Sequence, residues 1–261
     1  MVVAPQVGTD DGKNADIWVC DLSGRDAPRR LTFGGRNTTP VWSGDGTRVL
    51  FQSDREGDRA VFWQRADGAG AAERVTRPDT GTSHLPQSAS RDGKWLLVTV
   101  NYGKNTDIDA FSFADRSLKS LGYVKDAPFT SADFSPDAAF VAYTAFEGTY
   151  VQPFPPTGAK YFMSPGIHPF WSRDGKELFA SPGGGFASVP VTEAPTLKFG
   201  AVRGAARSWI EAVGSGRNVD IMPDGQHLIA AVAPAAASAV PGHVDIVLNW
   251  TEELKARTSS K

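Results

Sequence analysis

The sequence has almost no cysteine. Cys20 is the single one in 261 residues, so an intrachain disulfide is excluded and a lone thiol says nothing about compartment. Placed inside a predicted strand, it reads as a small buried apolar side chain. Histidine is scarce too. The four histidines, His84, His168, His227 and His243, show no mutual metal spacing, and HExxH is absent. G-x-S-x-G, a Walker A loop, HRD and DFG are all missing, which removes the common motif-borne routes to acyl and phosphoryl transfer. A charge excess of either sign is missing: 27 basic residues face 29 acidic ones, for a net charge of −2. That argues against a general nucleic-acid or anionic-membrane binder. Long apolar runs are missing as well. The longest, LIAAVAPAAASAV at 228–240, is broken by Pro234 and falls short of the roughly 20 residues a membrane span needs.

Turn formers are plentiful, with 27 glycines and 18 prolines. The chain is organised around HPFWSRDGKELFAS at 168–181, which reads as a short strand, an Asp174-Gly175 turn and a second, apolar strand. The pattern recurs at PVWSGDGTRVLFQS, PQSASRDGKWLLVTV, SADFSPDAAFVAYT and NVDIMPDGQHLIAAV. Its anchors, Asp45, Asp92, Asp137, Asp174 and Asp224, are spaced by 47, 45, 37 and 50 residues. Asx-type turn bonding explains these aspartates without invoking a site. After each hairpin comes a second β-rich unit, such as DIWVCDLSGRDAPRRLT or AVFWQRADGAGAAERVT, with alternating apolar and polar residues. Two strands from each unit make one four-stranded blade. A period in the forties built from short strands predicts a β-propeller.

The fold expectation is therefore all-β: a six-bladed β-propeller of four-stranded antiparallel blades, with the first blade incomplete at the N-terminus. The pattern supplies 22 strands, three at each end and four in each middle unit, where a closed ring would hold 24. Met1 is accordingly expected to be an internal start, or a gene boundary, within a longer protein. Residues 1–250 are expected to form a single propeller domain. Residues 251–261 are expected to form a short helix and tail, with Thr251 as cap, Glu252 and Glu253 in the first turn and Lys255 and Arg257 after them. No basic, apolar leader follows Met1, so the chain as written is expected to be soluble and cytoplasmic. Trp18, Trp42, Trp63, Trp95 and Trp171 fall inside predicted strands, where packing between blades explains them better than ligand stacking.

The WS-x-DG-x-x-L-F hairpins resemble the TolB-like propeller repeat, a relative of the WD repeat that lacks its Gly-His and Trp-Asp marks. The resemblance covers most of the chain. The C-terminal run, ending in VLNWTEELK, is similar to the end of bacterial proteins in which such a propeller follows a serine/threonine kinase domain. This implies the fold and a sensing or binding role, in an extracytoplasmic setting if the parent is a receptor-like kinase. It implies no kinase activity, because the kinase motifs are absent from this chain.

In a propeller the inter-blade connections and the loops between second and third strands share the channel-mouth face, and such loops carry function. Sequence places Arg36, Asn37, Arg55, His84, Tyr102, Lys104, Asp126, His168, Trp209, Glu211 and Arg217 there. The mixture of both charges with a few aromatics suits a peptide or protein loop better than a phosphate-rich polymer. The expected partner is a protein or peptide, with a small molecule as a further option and no nucleic acid or membrane insertion. The expected state is a monomer without cofactor, metal or catalytic set. The alternative is a propeller enzyme of lyase or glycosyl hydrolase type, for which Asp54, Asp126, Glu147 and Glu211 are the available mouth carboxylates. Asp107 with Asp109, and Asp54, Glu56 and Asp58, fall short of a calcium loop, which needs more oxygen ligands at fixed spacing.

Overall fold

The computed structural model describes residues 2–7, 15–22, 25–103, 105–124, 131–181, 187–192, 197–204, 219–221, 228–230 and 245–247. Every regular element among them is a strand. The first sheet holds β1 (Val2–Val7), β2 (Ala15–Cys20) and β3 (Arg29–Arg30). The second holds β4 (Asn37–Trp42), β5 (Arg48–Ser53), β6 (Ala60–Arg65) and β7 (Glu73–Arg74). The third holds β8 (Ser83–Ala89), β9 (Trp95–Tyr102), β10 (Asn105–Ser112) and β11 (Ser117–Val124). The fourth holds β12 (Ala132–Phe134), β13 (Phe140–Ala145), β14 (Gly148–Pro153) and β15 (Tyr161–Ser164). The fifth holds β16 (Ile167–Trp171), β17 (Glu177–Ser181) and β18 (Ala187–Thr192), with β19 (Lys198–Phe199) and β20 (Arg203–Gly204) both paired to β18. The sixth holds β21 (Val219–Ile221), β22 (Leu228–Ala230) and β23 (Asp245–Val247).

These are antiparallel meanders, the blades that the repeat predicts. Among the described residues the strand tally also follows the prediction, except that the last strand of blade five is split into two short pieces. The chain forms two compact units, Met1–Pro128 and Phe129–Lys261, each with three of the sheets. The expected C-terminal helix and the fifth anchor, Asp224, lie outside the described residues.

Central strands are apolar on both faces because a blade is buried on both. In β5, Val49 and Phe51 pack with Ile17, Val19 and Leu31 of blade one. Leu50, between them, packs with Leu96, Val98 and Phe111 of blade three. Successive side chains of a strand point to opposite faces, so a buried blade reads as a continuous apolar run instead of an alternation. In the second unit Trp171 of β16 packs with Val151 and Met163 of blade four and Val189 of its own blade. Trp63 stacks on Phe113 at 5.4 Å, again across a blade boundary.

The recurrent turn is a hydrogen-bonded module in which serine matters as much as aspartate. Ser43 Oγ donates to Asp45 Oδ1 at 2.6 Å and accepts from Arg48 N at 2.9 Å. Asp45 Oδ1 also accepts from Thr47 N at 3.0 Å. Ser90 with Asp92, Ser135 with Asp137 and Ser172 with Asp174 repeat these bonds. Led by the Ser43 hydroxyl, these donors hold the Asp45 carboxyl down at about 2. Gly46, Gly93 and Gly175 take positive φ after the aspartate, and Ala138 takes φ 58° at the same place in blade four. A left-handed non-glycine residue costs about 1–2 kcal/mol.

Candidate functional site

Of the loop residues singled out from sequence, Arg36, Asn37, Arg55, His84, Tyr102 and His168 are among the described residues. Lys104, Asp126, Trp209, Glu211 and Arg217 lie outside them.

Arg36, Asn37 and Arg55 do come together, at the end of blade two, where the chain arrives from blade one. Asn37 is not a loop residue. It opens β4 and is fully buried. Its amide nitrogen reaches Ala15 O and Gly34 O at 3.1 Å, and Asp16 Oδ1 and Gly35 O at 3.3 Å. Its Oδ1 accepts from Ser53 Oγ and from Arg55 Nη2, both at 2.8 Å. The Arg55 guanidinium lies 5.2 Å from the ring centres of both Phe51 and Phe62, and its Nε donates to Ser53 Oγ at 3.0 Å. Desolvation there lowers the Arg55 pKa. The rest of the SDREGD loop is tied down as well. Asp54 Oδ1 accepts from Arg36 N at 2.7 Å. Arg74 bonds Glu56 Oε2 at 2.7 Å and also Asp58. The Arg36 side chain itself stands exposed.

The two histidines correct the sequence reading more sharply. His84 lies within β8 and His168 within β16, both buried, at 3% and 6% exposure. The reason is proline. Pro86 and Pro169 look like loop markers, yet both fall at bulges in the first strand of a blade, where the ladder can spare an N–H. Pro40 does the same in β4. His84 N donates to Arg59 O and its carbonyl accepts from Gln52 Nε2, both at 2.9 Å. Burial pushes its imidazole pKa down to about 4, against a smaller opposing pull from Asp79 and Asp58. His168 has φ 56°, with its N donating to Thr144 Oγ1 at 3.0 Å and its Nδ1 lying 3.2 Å from Ser131 Oγ. Tyr102 ends β9, half-buried, opposite Asn105.

The carboxylates divide in the same way. Asp54 is held as described, whereas Glu147 stands exposed in the turn between β13 and β14. Burial, reinforced by Asp107, raises Asp109 to about 6. Among the described residues no three His, Cys, Asp or Glu side chains gather as a metal site requires.

What sequence reasoning missed is the end of blade four. Phe146, at 79% exposure, fills the β13–β14 turn; Phe162, on β15, is 48% exposed, and Ile167, which opens β16, is 42% exposed. Gly148 packs closely against Phe162 and the backbone that leads into β16. A Cβ on it would lie 2.5 Å from Ser164 O, 2.9 Å from Pro165 Cα and 3.2 Å from Phe162 Cε2. The neighbouring Thr149 Oγ1 donates to Gly166 O at 3.0 Å, which fixes the entry to β16. The signal was present in AFEG: a two-residue turn tip carries Phe where blade two carries the charged SDREGD.

The profile of the TolB beta propeller domain matches residues 6–151. Among solved structures, TolB from Acinetobacter baumannii superposes with a TM-score of 0.68 at 20% identity, over 88% of this chain and 58% of that one. An oligogalacturonate lyase in complex with manganese superposes with a TM-score of 0.60 at 11% identity, over 92% of this chain and 69% of that one. The uncharacterized peptidase YuxL of Bacillus subtilis (strain 168) is 37% identical over 124 residues, which are 44% of this chain and only 18% of that protein. The structural likenesses speak to fold alone, and the matched segment is a small part of the Bacillus relative. The profile match spans more than half of the sequence and agrees with the blades described above: the chain belongs to the TolB beta propeller domain family.

Proposed function

We propose that this propeller is a non-catalytic binding module that holds a protein or peptide partner, in a sensory or scaffold role within a bacterial signalling protein. The observation that carries this reading is the exposure of Phe146, Phe162 and Ile167, on elements that the close approach at Gly148 and the Thr149–Gly166 hydrogen bond join. Contiguous exposed apolar side chains mark interaction sites, and aromatic anchors on a rigid frame bind at low entropic cost. The charged residues of blade two support the reading from the other side, because their hydrogen bonds go to the scaffold. A serine/threonine kinase as the parent protein rests on the C-terminal motifs alone.

The test is to pan the full chain against a displayed random-peptide library and titrate the selected peptides by fluorescence anisotropy. Binding should be lost in a Phe146→Ser, Ile167→Ser double variant and kept in Arg36→Ala. Loss in Arg36→Ala with retention in the double variant would move the site to blade two. The Bacillus relative is named a peptidase and a structural neighbour a lyase, which favours a second reading, in which the propeller serves an enzyme through carboxylates such as Asp54 or Glu147. Turnover of oligogalacturonate or of a chromogenic peptide, abolished by Asp54→Asn or Glu147→Gln, would establish it.

A further inference from the structure

Sheet edges invite further strands, and folded proteins blunt them with charge, brevity or bulges. The last strands of the first five blades carry the charge defence with one exception. β3 is Arg29-Arg30, β7 is Glu73-Arg74, β11 carries Lys119, and the two pieces that close blade five carry Lys198 and Arg203. β15 is Tyr161-Phe162-Met163-Ser164 and carries no charge. Among the described residues it pairs with β14 only.

An aromatic row leads to that edge. Tyr143 of β13 faces Tyr150 of β14, which faces Phe162 of β15. Tyr143 and Tyr150 stack at 6.0 Å, and Phe162 meets Tyr150 edge-on at 5.3 Å. Exposure rises along the row from 5% at Tyr143 to 48% at Phe162. The row stops at an edge where one more strand would continue it. A register shift opposite Tyr150 makes a bulge at Met163, so the regular part of the edge is Tyr161 and Phe162.

We infer that β15 accepts an extended peptide segment of a partner protein as an added strand, with an aromatic or β-branched residue opposite Phe162. This rests on the binding-module reading and names the mode and the partner chemistry. Main-chain pairing would supply affinity, and the side chain set against Phe162 would supply selectivity. The flanking charges set the guest's charge order. Exposed Lys160 precedes the strand, and exposed Glu147 lies two residues before Thr149, the partner of Ser164. An antiparallel guest therefore carries a basic residue toward its start and an acidic residue toward its end.

The test uses the full chain and the library-selected peptides. Each peptide is resynthesised twice, with backbone N-methyl groups on one or the other alternating set of residues. Strand addition predicts that one set abolishes binding and the other is tolerated, because only alternate amides face β15. Phe162→Lys should weaken binding about tenfold, by lost cross-strand contact and edge charge, with an unchanged melting temperature. Peptides that tolerate both methylated sets and Phe162→Lys, yet are lost in the Phe146 and Ile167 double variant, overturn strand addition and leave the binding module standing. A library that yields no binder overturns both.

Discussion

Blade two and blade four end in the same kind of loop, the link from second to third strand, and build it from opposite chemistry. In blade two the link is SDREGD, and its side chains turn inward: Arg55 onto Asn37 and two phenylalanines, Asp54 onto the Arg36 amide, Glu56 and Asp58 onto Arg74. In blade four the link is reduced to Phe146-Glu147, and Phe146 points at nothing that buries it. The sequence invites the reverse reading, with charged loops for binding and aromatics for packing. The difference teaches that the spare capacity of a surface residue counts, and not its type. A guanidinium whose Nε and Nη2 are already bonded offers less to a partner, whereas an uncovered phenyl ring offers its full apolar area.

The contrast is most exposed to failure at Asn37. Asn37→Ala should strand the Ser53 hydroxyl, the Arg55 guanidinium and the buried Ala15 carbonyl and release the partly buried Gly34 and Gly35 carbonyls, and so cost about 3 kcal/mol. A urea titration measures it, and an unchanged midpoint would mean that the blade-two network is not scaffold. Gly148→Ala carries the same question into blade four. Its Cβ would meet a backbone oxygen at 2.5 Å from a backbone at φ 143°, for an expected cost of about 1–3 kcal/mol. A loss of that size would show blade four to be as rigid in its backbone as blade two, while its outward side chains remain free.

The next effect in size is a pH dependence that belongs to the first unit. His84 is buried with Nδ1 unpartnered among the described residues, and its native pKa of about 4 lies below the usual 6.5. Between those values the unfolded chain binds the proton and the native chain resists it. The contribution from neutral His84 is thus complete above pH 6.5 and is lost as pH falls toward 4. Thermal melts across that window should decline in the wild type and flatten in His84→Leu. An equal decline in both would assign the acid sensitivity to other groups.

The fold was open to reading because its signals are local. Ser-x-Asp-Gly closes a turn with its own hydrogen bonds, so the motif recurs in blades two, three and five, with Ala138 for the glycine in blade four, and its spacing marks the blades. The candidate site was not open in the same way. Whether Arg55 is free depends on Asn37 and Ser53, which are brought to it only by the pairing of β4 with β5. Whether His84 and His168 are on loops depends on a bulge that lets a strand carry proline, and the pattern alone does not announce a bulge. Phe146 was passed over because an aromatic in a β-rich repeat is ordinarily core. Its exposure follows from the shortness of its turn, and only the comparison with SDREGD brings that out.

The smallest expected effect is the one that separates the two blades. Phe146→Ser removes a ring that is 79% exposed, so the transfer free energy recovered on folding is slight and stability should move by no more than about 0.5 kcal/mol. Set beside Asn37→Ala in the same urea titration, it gives the comparison a null and a positive. Should Phe146→Ser lower the midpoint as far as Asn37→Ala does, the phenyl ring is scaffold and the apolar end of blade four has no capacity to spare. Should the midpoint hold while the selected peptides are lost, stability and recognition reside in different blades, and each can be altered without the other.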